Sequence, residues 1–337
     1  MLRIGINGYG RIGRAVVRAL YQRQLQDQIE IVAINDLADG ETLLHLTRFD
    51  STFGRFDLPM TLAEDGLQIE GRTIKLLREP DVTRLPWKAL GVDLVMECTG
   101  LFKKRAQLEP HLAAGAGRVI ASHPLDGADL TVVYGVNHGK LGEQQIISNA
   151  SCTTNCLAPM TKVLHEALGM RQGLVNTVHS YTNDQSLLDK PHKNLYRSRA
   201  AALSMIPTTT GAAKAIGLVM PELAGRLDGL AVRVPTPNVS LVDLTFVAER
   251  APGSVEAVNS LLEEGAAQMP KGVMECNALP LVSSDFRGYP VSCVVDLAQT
   301  RVQDNLIKVL AWYDNEWGFS NRMLDVALAW EDSKIAG

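Results

Sequence analysis

The sequence predicts two domains of different build: an α/β domain with a parallel sheet over residues 1–150, then an α+β domain with a mostly antiparallel sheet over 151–318. Three observations carry this. Short apolar runs alternate with helical patterns through the first 150 residues. Near residue 150 the texture turns polar, in Ser148-Asn-Ala-Ser-Cys-Thr-Thr-Asn155. Longer strand-like runs follow, with few helical crossovers. Buried strands spaced by helices argue for a parallel sheet, and long β segments with few crossovers for an antiparallel one.

The elements follow in order. Residues 2–7 form an apolar run, and a glycine turn leads into a helical stretch over 11–21, with Ile12, Val16, Val17 and Leu20 on one face. Residues 29–34, 92–96 and 118–121 read as further buried strands, with His111-Leu-Ala-Ala-Gly115 closing a helix before the last. A helical pattern runs to Leu168 and stops at Gly169. Strand-like runs cover 173–181, 227–234 and 239–248, the last two joined by the turn signal Pro235-Thr-Pro-Asn238. Residues 182–205 carry little periodicity and read as a long ordered loop of the kind that usually has a function.

Composition narrows the function classes. At 337 residues, with ~150 per domain as a guide, about two domains are expected. Hydrophobic residues make up 46% and charged residues 21%, which excludes a disordered chain. A net charge of −4 from 33 basic and 37 acidic residues gives no support to a nucleic-acid or acidic-membrane partner. No apolar run reaches the ~18 residues of a membrane span. Met1-Leu2-Arg3 leads straight into the first strand, which leaves no room for a signal peptide. Five cysteines, an odd and sparse set, predict a reducing, cytoplasmic setting. No histidine or cysteine spacing suits a metal site.

Gly8-Tyr9-Gly10-Arg11-Ile12-Gly13 matches G-x-G-x-x-G between a strand and a helix. Asp36 follows 23 residues after Gly13, at the end of the second strand. This is the setting of a Rossmann-type dinucleotide-binding domain: a tight turn, a pyrophosphate against helix N–H groups, and an acid on the ribose hydroxyls. A carboxylate there repels a 2′-phosphate, so NAD is expected over NADP, with no cation at Asn35 or Leu37 to reverse the choice.

Cys152 stands at the start of a predicted helix, where the helix N-terminus favours thiolate. Ser151, Thr153 and Thr154 add hydroxyls around it. On this segment alone it is equally an inert buried thiol, and Cys156, one turn on, reads as a core residue. His179 ends a strand-like run ahead of the polar loop. It is a partner for Cys152 in nucleophilic catalysis if the fold brings them together, and otherwise a structural histidine. Thr208-Thr-Thr-Gly211 reads as a hydroxyl-rich turn before a helix near Ala212, either an anion site or a plain cap. Arg197 in the long loop and Arg233 near a strand end are candidate cations for an anionic substrate.

Taken together, Ile6-Asn-Gly-Tyr-Gly-Arg-Ile-Gly-Arg14, Ser148-Asn-Ala-Ser-Cys-Thr-Thr-Asn-Cys156, His179-Ser-Tyr-Thr182, Thr210-Gly-Ala-Ala-Lys214, Arg233-Val-Pro-Thr-Pro-Asn-Val239 and Trp312-Tyr-Asp-Asn-Glu-Trp-Gly318 resemble the phosphorylating glyceraldehyde-3-phosphate dehydrogenases. The match spans essentially the whole chain. The resemblance implies Cys152 as nucleophile and His179 as its activating partner. It implies Ser151, Thr153, Thr210 and Gly211 on the inorganic-phosphate side, and Thr182, Arg197 and Arg233 as contacts to substrate phosphate or to phosphate shared between sites. It implies Gly8, Gly10, Arg11, Ile12, Asp36, Arg78, Ser122 and Asn315 at NAD, with Leu37 and Pro191 resembling NAD-preferring members.

The implied reaction converts glyceraldehyde 3-phosphate and inorganic phosphate to 1,3-bisphosphoglycerate through a thiohemiacetal and a thioester on Cys152, as in glycolysis and gluconeogenesis. Also implied are a homotetramer, a loop over 182–205 that reaches a neighbouring subunit's cofactor, and a final helix at about 319–333 packed back on the first domain. Ser122-His-Pro124 and Val133-Tyr-Gly-Val136 look instead like the erythrose-4-phosphate dehydrogenases, which release 4-phosphoerythronate. His179-Ser-Tyr-Thr-Asn-Asp-Gln185 and Thr208-Thr-Thr-Gly-Ala-Ala-Lys214 look like the glyceraldehyde branch, and they weigh more because they would lie nearer the substrate.

Overall fold

A computed structural model of the chain describes residues 1–335. They form two compact units. The first holds Met1–Val132, His138–Ala150 and the chain from Ser320 onward; the second holds Val133–Asn137 and Ser151–Phe319.

The first unit opens with strand β1 (Leu2–Asn7), helix α1 (Arg11–Gln22), β2 (Ile29–Asn35) and α2 (Gly40–Arg48). A two-residue pair, β3 (Phe49–Asp50) and β4 (Gly54–Arg55), precedes a meander of β5 (Met60–Ala63), β6 (Gly66–Ile69) and β7 (Arg72–Leu77). Then come β8 (Leu94–Glu97), α3 (Glu109–Ala113), β9 (Arg118–Ala121), β10 (Leu130–Thr131) and β11 (Ile146–Ser148). Nine strands make one sheet in the order β10-β11-β9-β8-β1-β2-β7-β6-β5. All pairs are parallel from β10 to β7, and the meander closes the edge with antiparallel pairs. Apolar residues fill both faces: Ile4, Ile6, Ala33, Ile34, Val95 and Met96 are fully buried. That double burial is why the central strands read as continuous apolar runs. The parallel strands end at Asn7, Asn35 and Glu97, so their C-terminal ends form one edge, where open α/β sheets place ligands.

The second unit opens with α4 (Cys152–Leu168) and β12 (Met170–Ser180), followed by β13 (Ile206–Thr209), α5 (Ala212–Val219), β14 (Leu227–Val234) and β15 (Ser240–Ala248). It continues through α6 (Val255–Gln268), β16 (Met274–Asn277), β17 (Cys293–Asp296), β18 (Arg301–Gln303), β19 (Leu306–Tyr313) and the start of α7 (Trp317–Ile335). The sheet order is β13-β14-β12-β15-β19-β17-β16, with β18 on β19. β15 alternates buried and half-buried residues along its whole length, the mark of a sheet covered on one face.

The sheet is mostly antiparallel, as expected, with two parallel pairs within it, β12 with β14 and β16 with β17. The chain turns at Pro235-Thr-Pro-Asn238 as the turn signal predicts, and β12 lies between β14 and β15 and bonds to both. Turn signals fix where the chain reverses, whereas hydrogen-bonding neighbours are chosen by burial of the shared face. One expectation is corrected: Thr208 and Thr209 lie on strand β13 rather than in a turn, with only Thr210 and Gly211 leading into α5.

The last helix belongs for most of its length to the first unit. Arg23 Nη2 meets Asp325 Oδ1 at 2.6 Å, and Arg118 donates to the Trp330 carbonyl at 2.6 Å. No described helix is long and apolar enough to cross a membrane.

Candidate active site

Helix α4 is started by Ser151, whose hydroxyl accepts from the N–H of Thr154 at 3.1 Å. Cys152 is therefore the first residue of the helix. β12 carries His179 almost to its end. The two meet: Cys152 Sγ lies 3.6 Å from His179 Nε2. His179 Nδ1 lies 2.7 Å from the Ser180 carbonyl oxygen, so Nδ1 carries the proton and donates it there. That fixes the tautomer and leaves the lone pair of Nε2 toward sulfur.

The electrostatics refine the sequence expectation. Burial pushes the Cys152 thiol up, and the Arg233 cation and hydrogen bonds from Thr153 recover only part of that rise. Burial, then Arg233, lower His179 to about 3. The helix N-terminus does not by itself make a thiolate. Burial favours the neutral form of both groups, and Nε2 is placed to take the thiol proton.

Tyr313, in the Trp312-Tyr-Asp segment, adds a residue that the sequence pattern alone does not mark. Its buried hydroxyl bridges Thr153 Oγ1 at 2.8 Å and Thr177 Oγ1 at 2.9 Å. Its ring meets the His179 ring edge-on, with centroids 6.0 Å apart. Burial holds its phenol well above the usual range, so it stays protonated. It braces both members of the candidate pair.

The cations gather beside them. His179 and Arg233 are register partners on the parallel strands β12 and β14. Arg233 Nη1 donates to the Ser180 carbonyl at 3.1 Å and to Thr182 Oγ1 at 3.2 Å. Arg197 Nε donates to Thr208 Oγ1 at 3.0 Å, and its Nη1 pairs with Asp184. Thr210 Oγ1 accepts from the N–H of Ala212 at 3.2 Å, placing Thr210 and the exposed Gly211 at the start of α5. Asn315 is buried, its amide oxygen accepting from the hydroxyls of Ser180 at 2.8 Å and Ser240 at 3.2 Å. Cys156 is fully buried, as a core residue.

In the first unit a cavity of about 350 Å³ opens at the strand ends, lined among others by Gly8, Gly10, Asp36, Leu37, Cys98 and Thr99. Gly8 has φ +91°, and a Cβ there would stand 2.6 Å from the Thr99 nitrogen. At Gly13 a Cβ would meet the Gly8 carbonyl at 2.4 Å, so the helix packs against its own turn. A Cβ on Gly10 would meet nothing within 4 Å and would fill the open space itself. Asp36 accepts from the N–H of Tyr9 at 2.8 Å and of Ala38 at 3.0 Å, one on each oxygen, and each oxygen keeps a further lone pair. Arg78 Nε donates to the Leu37 carbonyl at 2.7 Å, on the cavity rim. Arg11 and Ile12 open helix α1, the Arg11 guanidinium pairing with Asp50. Ser122 follows β9, its N–H bonded to the Glu97 carbonyl at 3.0 Å. This cradle fits a dinucleotide: space for a pyrophosphate at a helix N-terminus and a carboxylate at the second strand end.

Comparison with known proteins agrees with the geometry. Residues 2–105 match the family description "Glyceraldehyde 3-phosphate dehydrogenase, NAD binding domain", and residues 151–315 match "Glyceraldehyde 3-phosphate dehydrogenase, C-terminal domain". The chain is 56% identical to the chromosomal glyceraldehyde-3-phosphate dehydrogenase of Cupriavidus necator over 330 residues, 97% of this chain and 98% of that one. It is 55% identical to the Xanthobacter flavus enzyme of that name, over 97% and 98% of the two chains. It is 50% identical to that of Geobacillus stearothermophilus, over 97% of each.

Proposed function

The chain belongs to the glyceraldehyde-3-phosphate dehydrogenase family, and on that premise we propose that it oxidises glyceraldehyde 3-phosphate with NAD and inorganic phosphate to 1,3-bisphosphoglycerate. The observation that carries this is Cys152 Sγ at 3.6 Å from an Nε2 whose tautomer is fixed by Ser180. Nε2 takes the thiol proton as sulfur attacks the aldehyde carbon. It returns that proton to the oxygen of the thiohemiacetal. It takes it again as hydride leaves the same carbon, giving a thioester on Cys152. NAD, when bound, supplies the oxidising power by accepting a hydride. A phosphate oxygen then attacks the thioester carbon, and the C–S bond breaks to return the thiolate.

Arg233, Thr182 and Arg197 would hold the phosphate groups, with Ser151, Thr153, Thr210 and Gly211 on the side of the attacking phosphate. Guanidinium forks and helix-start N–H groups suit tetrahedral oxyanions. Gly8, Gly10, Arg11, Ile12, Asp36, Arg78, Ser122 and Asn315 would hold NAD, with the Asp36 carboxylate selecting against a 2′-phosphate. The two compact units support assigning cofactor binding to residues 1–150 with the final helix, and chemistry to 151–318. A homotetramer in the cytoplasm is part of the same reading.

NADH formation from glyceraldehyde 3-phosphate, with and without phosphate or arsenate, tests the proposal. Absence of phosphate-dependent NADH would sink it. Comparing kcat/KM for glyceraldehyde 3-phosphate and erythrose 4-phosphate in one preparation settles the chain length, with the three-carbon aldehyde expected to win.

A further inference from the structure

We propose that Asp184 is a built-in counter-ion that competes with tetrahedral oxyanions for Arg197 and thereby sets the affinity of the site for phosphate. This rests on the reading of Arg197 and Arg233 as phosphate-binding cations. Three observations carry it.

First, Arg197 does not need Asp184 to be held in place. Its Nε is anchored on Thr208 Oγ1 at 3.0 Å and its Nη2 reaches the Thr209 carbonyl at 3.4 Å, both from strand β13. Asp184 engages only Nη1. The Asp184 side chain is 46% exposed against 20% for Arg197, so the carboxylate can swing out to water while the guanidinium stays.

Second, the cluster is short of negative charge. Arg233 sits close enough for the Arg197 cation to weigh on it, after burial. Arg233 donates to neutral oxygens: the Ser180 carbonyl, Thr182 Oγ1 and Gln185 Oε1. Asp184 is the carboxylate paired to this cluster, shared with His192 Nε2 at 3.7 Å.

Third, two donors there lack an acceptor. Arg233 Nε and Gln185 Nε2 are shielded from solvent without a hydrogen-bond partner. Buried donors without acceptors are uncommon, and an oxyanion is the group that satisfies several at once. A phosphate arriving here displaces one Arg197–carboxylate bond and feels the Asp184 charge. Both effects oppose binding, so removing the charge must tighten it.

The test is Asp184→Asn, with Asp184→Ala as the second variant. Inorganic phosphate is titrated calorimetrically into each full-length protein, and KM is measured separately for inorganic phosphate and for the phosphate ester of the aldehyde. The expected result is a fall of about three- to tenfold in the Kd or KM of at least one of the two oxyanions. The arm that moves tells which phosphate Arg197 serves. Unchanged or raised constants, or a lower kcat with raised KM as from a merely structural role, overturn the proposal. In an Arg197→Gln background the gain should shrink to the part that charge repulsion alone supplies, and an undiminished gain there also overturns it. The calorimetric arm is read independently of turnover, so loss of the catalytic reading and loss of this inference are separate outcomes.

Discussion

His179 and Arg233 face each other as register partners on two parallel strands, a cation placed beside the base it must not protonate. Arg233 lowers the Cys152 thiol and the His179 imidazole together, stabilising thiolate and opposing imidazolium. One guanidinium therefore favours the thiolate while opposing a lasting imidazolium, so the proton taken by Nε2 is readily passed on.

Removing either half of the pair should stop or slow turnover. Cys152→Ala is expected to abolish NADH formation, since no other nucleophile lies at that position. His179→Asn should lower kcat by about 10²–10⁴-fold, the usual worth of a positioned base. Stopped-flow single turnovers separate the two, because the histidine variant still forms NADH slowly and the cysteine variant forms none.

The acid limb of stability should carry the signature of His179. Its ring titrates at about 3 in the folded chain, against an ordinary value of 6.5. Between those values the unfolded chain binds the extra proton, so stability falls as pH drops from about 6.5 toward 3 and is fully present above 6.5. His179→Asn should flatten that limb by up to about 1.4 kcal/mol per pH unit. Urea unfolding across the range measures the slope, and an identical slope in both proteins would contradict the burial argument.

Tyr313→Phe should be felt twice. Removing the hydroxyl leaves Thr153 and Thr177 without their shared partner, at a cost of about 1–3 kcal/mol in unfolding free energy. The His179 ring keeps its aromatic neighbour, so kcat should fall less than in Tyr313→Ala. Equal kcat in the two variants would remove the ring from the account.

The glycine turn offers a clean contrast. Gly10→Ala meets no atom within 4 Å, so it should leave Tm close to that of the parent while weakening NAD binding, as the new methyl enters the cavity. Gly13→Ala drives a Cβ to 2.4 Å from the Gly8 carbonyl and should lower Tm as well as affinity. Thermal melts with and without NAD read both effects. A Gly10 variant binding NAD as tightly as the parent would remove the cavity from the cofactor site.

Much of this was legible in the linear sequence because it is local. Strand Leu227–Val234, strand Arg118–Ala121 and the helix running from Cys152 to Leu168 follow from apolar runs, caps and glycine stops. The glycine turn with Asp36 declares itself through spacing. The meander from Met60 to Leu77, helix Val255–Gln268 and the strands over 274–303 carry no such signal, because the strands are mostly three or four residues long and none of these elements is bounded by a motif.

What only the tertiary structure decided concerns pairs distant in sequence. Strand β12 inserts between β14 and β15, which no turn signal could announce, and that insertion sets His179 against Arg233. It is also burial, a property of the folded interior, that raises the Cys152 thiol against the helix N-terminus and lowers His179. The sequence by itself determined which groups were available: a thiol, an imidazole, guanidiniums and hydroxyls. Distance and desolvation, which exist only once the chain is packed, determined that the imidazole is neutral, that its free nitrogen faces sulfur, and that Asp184 occupies Arg197.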